Sequence, residues 1–391
     1  MAKLSSSNGL EKFPKLRFPE FKEPWKQVKL SDFTERIIRK NKNNETDLPL
    51  TISSKDGLVD QISFFNKTVA SKDISNYYLL RNGEFAYNKS YSVGYDFGSI
   101  KRLERYPMGA LSTLYICFTL TKHNGDYIKT YFDSLKWYKE IYMISAEGAR
   151  NHGLLNVPTD EFFDTYHYIT DNPDEQQKIA AFMNLIDKRI QKQQQLLENI
   201  KKYKRGAVAH ILSGKSVAFA VTSSWTEHTL SELCTEFRSG RNISATLIHQ
   251  TGNFPVYGGN GIRGYCNQYS HDGEYVVVGR QGALCGNVRL IQGKNYLSEH
   301  AIAVQANEAN ETKFLLYLLV YMKLGQYSDQ GAQPGLAVNK LLRLKCMVPD
   351  KQTQIKIASF LMSFDFQIST QERMLMLLNC QRRALLQQLF I

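Results

Sequence analysis

PDEQQKIAAFMNLIDKRIQKQQQLLENIKKYKRGAVAHIL, residues 173–212, is the stretch of this 391-residue chain that decides its fold. Its apolar residues recur mostly every three or four positions, which is the period of an amphipathic helix with a coiled-coil seam. The same phase returns 178 positions later in residues 350–391, where Gln371 matches Gln193. The chain therefore contains an internal repeat of one long helix.

Both predicted helices need an apolar partner, because a helix of about 38 residues is about 57 Å long and exceeds an average globular helix. Helices of equal length and matching phase pair most simply with each other, which predicts an antiparallel intramolecular coiled coil. Asn172 and Pro173 supply the cap and the first position that helix starts favour. The predicted seam residues are Ile179, Phe182, Ile186, Ile190, Leu197, Ile200, Ile357, Phe360, Phe364, Ile368, Leu375 and Leu378.

A globular segment precedes each helix, and the two segments correspond loosely. Both open with a tryptophan followed five residues later by a leucine, at Trp25 and Leu30 and at Trp225 and Leu230. Short β-rich runs separated by Gly, Asn and Ser turns predict mixed α/β domains. The expected fold class is α/β (α+β), with two mixed domains alternating with two paired helices in a pseudo-two-fold internal repeat. The predicted order is a leader (1–24), a first globular domain (25–172), a first helical spacer (173–212), a linker (213–224), a second globular domain (225–349) and a second helical spacer (350–391).

Composition points to a polyanionic partner. The chain has 49 Lys and Arg against 37 Asp and Glu, a formal charge of +12, which makes nucleic acid the leading candidate. Six widely spaced cysteines without a Cys-x-x-Cys pair argue against a zinc ribbon or a disulfide framework and favour a reducing cytoplasm. The N-terminal residues lack the apolar stretch of a signal peptide, and the longest apolar run, residues 314–322, is shorter than the about 20 residues of a membrane span. We therefore expect a cytoplasmic protein that does not bind a membrane.

Taken together, this layout resembles the specificity subunits of type I restriction-modification systems over nearly the whole chain. Local signatures of the resemblance are PVYGGNGIRGY at 255–265, VGRQGA at 278–283, and the helix openings EQQKI at 175–179 and QIKI at 354–357. The second opening has Thr353 before Gln354, where the first has Glu175 before Gln176. The order of globule, helix, globule, helix is more specific than any one of these motifs.

The resemblance implies a non-catalytic DNA reader. Each globular domain would be a target-recognition domain that reads one half of a bipartite, asymmetric target in double-stranded DNA, and the helices would set the gap between the halves. Two methyltransferase (modification) subunits would dock on the chain, and restriction/translocase subunits would join them. No cofactor is expected in this chain, because S-adenosylmethionine and ATP would be bound by the partner subunits.

Candidate DNA contacts are basic residues interleaved with Tyr, Asn, Gln and Ser in loops, because Arg and Lys hold phosphates or read guanine while amides read adenine. Each residue alone could equally be a solvated surface residue, so the prediction of a DNA-binding surface depends on the set and not on any one member. In the first domain they are Asn88, Lys89, Ser90, Tyr91, Lys101, Arg102, Arg105, Arg150 and Asn151. In the second domain they are Arg238, Arg241, Tyr257, Asn260, Arg263, Arg280, Gln281, Arg289 and Gln333.

The residues that could indicate a nucleotide or metal site lack the neighbouring elements or spacing that such sites need. Residues 259–264 satisfy G-x-G-x-x-G, but turn-forming and aromatic residues follow where a dinucleotide site needs a helix, and no clear strand is expected before them. A Gly-rich loop close to DNA is the better interpretation, with a plain turn as the alternative. The histidines show no paired metal-ligand spacing, so no metal or catalytic residue is predicted. Two alternatives stay open: a coiled-coil scaffold that binds only proteins, and an autonomous enzyme that modifies or cleaves DNA.

Overall fold

The computed structural model describes residues 12–67, 69–71, 73–145, 155–213, 224–282, 284–329 and 334–391. The chain divides into two compact units. Unit 1 comprises Met1–Lys192 and Leu375–Ile391, and unit 2 comprises Gln193–Met374. Each unit therefore contains one globular domain and a segment of each long helix. The domain boundaries predicted from the sequence stay predictions, and most of the expected linker lies outside the described residues.

In unit 1 the described strands form two four-stranded sheets and one two-stranded sheet. The sheet orders are β2-β9-β6-β7, β4-β3-β8-β5 and β1-β10. The strands are β1 (Lys26–Lys29), β2 (Thr34–Arg36), β3 (Pro49–Ser53), β4 (Gly57–Asp60), β5 (Tyr78–Arg81), β6 (Phe85–Asn88), β7 (Ser99–Arg102), β8 (Met108–Leu111), β9 (Ile116–Leu120) and β10 (Tyr166–Ile169). The short helices are α1 (Gln61–Phe65), α2 (Gly125–Asp133), α3 (Tyr138–Ile144) and α4 (Thr159–Phe163).

Strand β6 shows how unit 1 fills two cores. Side chains alternate across a strand, so Phe85 and Tyr87 face one side of the sheet while Ala86 faces the other. Phe85 stacks on Phe118 with ring centroids 5.5 Å apart in the larger core. Ala86 packs with Leu50 in the smaller core beneath the second sheet. Both faces of this sheet are therefore covered.

Unit 2 is built on one six-stranded sheet, of order β12-β17-β15-β16-β13-β14, and a two-stranded sheet of β11 and β18. The strands are β11 (Thr226–Thr229), β12 (Cys234–Ser239), β13 (Phe254–Gly258), β14 (Gly261–Cys266), β15 (His271–Gly279), β16 (Val288–Leu297), β17 (Ala301–Ala306) and β18 (Lys345–Val348). The helices that precede or cover them are α6 (Leu230–Leu233), α7 (Thr312–Tyr321) and α8 (Val338–Leu342). Val276 and Val278 face the core that contains α7, while Val277 faces the opposite side.

The two predicted helices are α5 (Pro173–Leu212) and α9 (Lys351–Leu389). In unit 1, Ile179 and Met183 of α5 pack in one cluster with Leu386 and Leu389 of α9. In the same unit Arg382 bonds both carboxylate oxygens of Asp187, at 2.5 and 3.2 Å.

In unit 2 the start of α9 packs against the end of α5, where Ile357 and Leu361 join Val208 and Ile211 in one cluster. The contacts within each unit therefore run antiparallel. The predicted fold class, with two mixed domains and two paired helices, is confirmed.

Residues of the predicted seam differ in burial. Ile179, Ile190, Leu197, Ile357 and Leu378 are buried. Phe182, Ile186, Ile200, Phe364, Ile368 and Leu375 are half-buried, and Phe360 is 43% exposed.

A buried glutamine near the start of each long helix ties that helix to its sheet domain. In unit 1, Gln176 accepts from the backbone N–H of Asn124 at 2.8 Å and donates to the carbonyl of Thr170 at 2.7 Å. Asn124 is the N-cap of α2, so this bond fixes the start of a domain helix against α5.

In unit 2, Gln354 makes the corresponding bonds. It accepts from the N–H of Glu311, the N-cap of α7, at 3.0 Å and donates to the carbonyl of Pro349 at 2.9 Å. Gln176 and Gln354 lie 178 positions apart, so the repeat extends from the helix pattern to a similar pair of contacts.

The residue before each glutamine differs between the copies. Glu175 is fully buried and binds the guanidinium of Arg17 through two hydrogen bonds, at 2.6 and 2.9 Å. Thr353 instead donates its hydroxyl to Asp350, at 2.9 Å, within its own helix start. The Glu-to-Thr difference seen in the sequence therefore replaces a long-range ion pair by a local cap.

Candidate nucleic-acid interface

The Gly-rich motif of the second domain forms a β-hairpin. Strand β13 ends at Gly258, directly before the motif, and β14 begins at Gly261. The expectation that no clear strand precedes the motif was wrong, because the Pro255 in β13 masked the strand pattern. A hairpin offers no helix N-terminus to a pyrophosphate, so these residues do not fit a nucleotide cofactor.

Close approach explains the glycines of the turn. A Cβ atom on Gly259 would lie 2.4 Å from the backbone oxygen of Gln281. Gly261 has a φ of +107°, and a Cβ there would lie 2.6 Å from Nη1 of Arg289. A side chain at Gly259 would push the hairpin away from the Gln281 backbone, whereas one at Gly261 would strain the backbone at its positive φ and displace the Arg289 side chain.

The turn gathers several of the predicted contacts in one place. We call Asn260, Arg263, Gln281 and Arg289, together with His300, the Gly-turn cluster. Asn260 and Arg263 are exposed, and the other three are half-buried. A concentration of donors and acceptors around a close-packed backbone turn is suited to contact phosphates and base edges. Tyr257 lies at the end of β13, next to this turn.

Arg280 is held more tightly than its neighbours. Its Nη1 donates to the carbonyl of Glu299 at 3.3 Å, and its Nε is buried without a hydrogen-bond partner among the described residues. Its backbone N–H donates to the carbonyl of His300 at 2.9 Å. Arg280 therefore braces the loop that carries Gln281.

The two remaining described arginines of the set in unit 2 are Arg238 and Arg241. Arg238 is on β12, the edge strand opposite β14, and pairs with Glu236 at 2.7 Å while its side chain stays 70% exposed. Arg241 is exposed, and its backbone N–H donates to the carbonyl of Leu297 at 2.9 Å. Arg238 is thus not brought to the Gly-turn cluster.

In unit 1 the predicted contacts fall into a loop and an ion-paired strand. The loop leaves β6 at Asn88, whose side-chain oxygen accepts from the N–H of Ser90 at 2.9 Å. Partial burial lowers the pKa of the Lys89 amine, and Tyr91 is 58% exposed. This loop presents a cation and an aromatic ring close together.

Lys101 and Arg102 have internal partners. Lys101 pairs with Asp133 of α2 at 2.8 Å, and Arg102 pairs with Asp126 of α2 at 2.5 Å. Both cationic side chains are mostly buried, at 14% and 16% exposure. They fasten β7 to α2, whereas the nearby Arg105 is exposed. The sequence alone could not show that Lys101 and Arg102 are paired internally while Arg105 is exposed.

Three predicted contacts, Arg150, Asn151 and Gln333, lie outside the described residues. Sequence reasoning did not select His300 and Glu299, because an isolated histidine beside an acid carries no recognisable spacing. Within the part of the chain that the structure describes, no group of three or more His, Cys, Asp or Glu side chains could hold a metal ion. No helix among the same residues is long and apolar enough to cross a membrane.

Comparison with known proteins gives a consistent pattern. Residues 222–376 match the family model described as the type I restriction modification DNA specificity domain. The type I restriction enzyme EcoprrI specificity subunit of Escherichia coli is 45% identical over 141 residues, a match that covers 35% of this chain and 35% of that relative. The match therefore spans about a third of the relative's length.

Two solved structures are similar over nearly their full length. The type I restriction-modification S subunit of M. genitalium superposes with a TM-score of 0.61 at 18% identity, covering 97% of this chain and 99% of that one. A chain from a structure of the complex assembly and conformational transition of the type I R-M system gives a TM-score of 0.56 at 17% identity, with 94% and 97% covered. At these identities the likeness shows the fold.

Proposed function

We propose that this chain is a specificity subunit of a type I restriction-modification system and that it recognises a bipartite, asymmetric target in double-stranded DNA. Each globular domain reads one half of the target. The chain itself carries out no catalytic step. The observation that carries this proposal is the Gly-turn cluster, a set of exposed and half-buried donors and acceptors inside the region that matches the specificity-domain family.

Charge supports DNA as the partner. A formal charge of +12 favours association with phosphates, and Arg263 and Arg289 lie beside the Gly-rich turn. Arginine reads guanine through two hydrogen bonds, and asparagine reads adenine in the same way. The cluster therefore holds both residue types that direct readout uses most.

Unit 1 would read the other half of the target with different residues. Its loop from Asn88 to Tyr91 and the exposed Arg105 offer a cation, an aromatic ring and an amide, without a Gly-rich hairpin. Because the two loops differ in sequence and shape, the two half-sites are expected to differ in sequence.

Helices α5 and α9 set the gap between half-sites and dock two methyltransferase subunits. Both helices keep large apolar side chains exposed outside their pairing: Leu185, Leu196 and Tyr203 on α5, and Phe366, Met376 and Leu377 on α9. Exposed apolar patches on soluble proteins commonly mark protein interfaces. Restriction/translocase subunits would join through the methyltransferase subunits.

Cofactors belong to the partners in this proposal. S-adenosylmethionine would be bound by the methyltransferase subunits and ATP by the restriction/translocase subunits. The G-x-G-x-x-G residues of this chain form a hairpin turn, which does not suit a nucleotide.

The test is a genome-wide map of methylated bases in cells that express this chain with its cognate methyltransferase, compared with cells that lack this chain. A split, gapped motif that disappears without the chain is expected. An unchanged methylome, with the methyltransferase expressed and active, would contradict the proposal.

Two further measurements separate the alternatives. A scaffold that binds only proteins would leave DNA unbound at low salt even with its partners present. An autonomous enzyme would transfer methyl groups or cleave DNA as a purified single chain.

A further inference from the structure

Behind the Gly-rich turn, three side chains of unit 2 form a hydrogen-bonded series. Oε1 of Gln281 lies 2.6 Å from Nδ1 of His300, and Nε2 of His300 lies 3.0 Å from Oε1 of Glu299. The series runs from the loop after β15 to the turn before β17. Its outer end is Gln281, which the turn residue Gly259 contacts through the backbone.

The structure places the amide oxygen of Gln281, and not its amino group, against His300. A carboxylate only accepts hydrogen bonds, so the nitrogen of His300 that faces Glu299 must carry a proton. The other ring nitrogen, Nδ1, faces the amide oxygen of Gln281 at 2.6 Å. The amide oxygen is thereby engaged, and the amino group of Gln281 has no bonding partner among the described residues.

Backbone contacts hold the same loop from two sides. The N–H of Arg280 donates to the carbonyl of His300 at 2.9 Å, and the N–H of Gly282 donates to the carbonyl of Pro334 at 3.1 Å. The backbone oxygen of Gln281 leaves no room for a side chain on Gly259. A side chain fixed in this way loses little conformational entropy on binding, which favours specific readout.

We propose that Glu299 and His300 are positioning residues that fix the amide of Gln281, so that Gln281 presents its amino group to one base pair of the half-site read by unit 2. This inference rests on the proposed function. The base recognised is one that offers an acceptor in the groove, such as N7 or O6 of guanine or N7 of adenine. Glu299 and His300 themselves need not touch DNA.

The experiment measures base preference position by position. The full chain, expressed with its cognate methyltransferase subunits, is bound to a library of double-stranded DNA, and each preferred duplex is then tested with single base-pair changes. The variants are Gln281→Ala, His300→Phe, His300→Asn and Glu299→Gln. Gln292→Ala is the matched control, because Gln292 is an exposed glutamine of the same unit outside the Gly-turn cluster.

Gln281→Ala is expected to reduce the preference at one base pair by about tenfold and leave the other positions unchanged. His300→Phe removes both ring nitrogens and is expected to relax the preference at the same base pair. His300→Asn places a donor near the position of Nδ1 and is expected to restore part of the preference. Glu299→Gln is expected to give a smaller loss at that position.

Three results would overturn the inference. Equal weakening on every sequence would show that the residues are only structural, and thermal melting of each variant separates this from unfolding. Relaxation by Gln281→Ala without any effect of the His300 variants would show that Gln281 reads alone. Absence of sequence preference in the wild-type complex would contradict the proposed function itself, which distinguishes that failure from a failure of the positioning series.

Discussion

Gln193 of α5 donates its side-chain amide to Oε1 of Gln371 of α9 at a distance of 2.6 Å, and these two residues occupy the same position in the two copies of the repeat. In an antiparallel helix pair, equivalent positions meet only at the point about which the two helices are symmetric. A polar pair inside an apolar seam lowers stability but specifies the register, since any shifted pairing would leave an amide against apolar side chains. The Gln193–Gln371 bond therefore marks the register of the helix pair.

Replacing both glutamines tests this role. Gln193→Leu together with Gln371→Leu is expected to raise the free energy of unfolding by about 1 kcal/mol, because an apolar pair replaces a half-buried polar pair. Gln193→Leu alone is expected to lower it, because Gln371 would lose its partner. Chemical unfolding measures both, with the exposed Gln194→Leu as control. A single variant more stable than the double variant would contradict the assignment.

Gln176 and Gln354, the buried glutamines that tie each long helix to its sheet domain, should contribute equally to the stability of the two units. Gln176→Ala and Gln354→Ala each leave the backbone N–H of a helix N-cap without its partner, so each is expected to cost about 1–3 kcal/mol of stability. The exposed neighbours Gln177 and Gln352 are the matched controls, and alanine there should cost less than about 0.5 kcal/mol. If the Gln176 and Gln354 variants cost no more stability than the control variants, the hydrogen bonds of these two glutamines would not stabilise the fold.

Acid should destabilise unit 1 through a buried histidine. Burial lowers the pKa of His167 to about 3, and the hydroxyl of Tyr131 lies 2.8 Å from its Nδ1. The folded group stays neutral where the unfolded group, with its ordinary pKa of 6.5, takes up a proton. Its contribution is therefore complete above pH 6.5 and is lost as the pH falls toward 3, by about 1.4 kcal/mol per pH unit.

The measurement compares wild type with His167→Gln at about pH 7.5 and about pH 5. The drop in unfolding free energy on acidification should be about 2 kcal/mol smaller for His167→Gln. His210→Gln, at an exposed histidine, should reproduce the wild-type drop. The same drop in all three proteins would exclude His167 as the source.

Lys101 and Arg102 of β7 are held in ion pairs, whereas their neighbour Arg105 is exposed, so substitutions of these cations should have different effects. Lys101→Met is expected to lower stability by roughly 3 kcal/mol, because Asp133 would lose one of its partners in a mostly buried site. Arg105→Ala is expected to leave stability unchanged and to reduce the salt dependence of DNA binding by about one phosphate contact. DNA titrations at several salt concentrations, paired with unfolding curves, measure both effects. If Lys101→Met changed the salt dependence of DNA binding and not the stability, Lys101 would be a DNA contact and the interpretation would be wrong.

The helices and their duplication were predictable because a long apolar period is a local property of the sequence. The Gln193–Gln371 match was visible for the same reason. The internal partners of Lys101 and Arg102 were not, because Asp126 and Asp133 reach them only after α2 packs on β7. The exposure of Phe360 likewise depends on the crossing geometry of the helices, which periodicity does not determine.

The Gly-turn cluster was predictable only as a set of separate residues. Asn260 and Arg263 are close in sequence, whereas Gln281, Arg289 and His300 come from other strands and loops of the same sheet. The hairpin brings them together through close approaches that only glycine permits, and the sequence displays the glycines without their neighbours.

The most direct test of the central claim lengthens the helices without touching either reading loop. One helical turn, about four residues at about 1.5 Å each, is inserted into α5 after Gln193 and into α9 after Gln371, and the methylated motif is mapped again. The account predicts the same two half-site sequences separated by a longer gap. Altered half-site sequences with the original gap would contradict it.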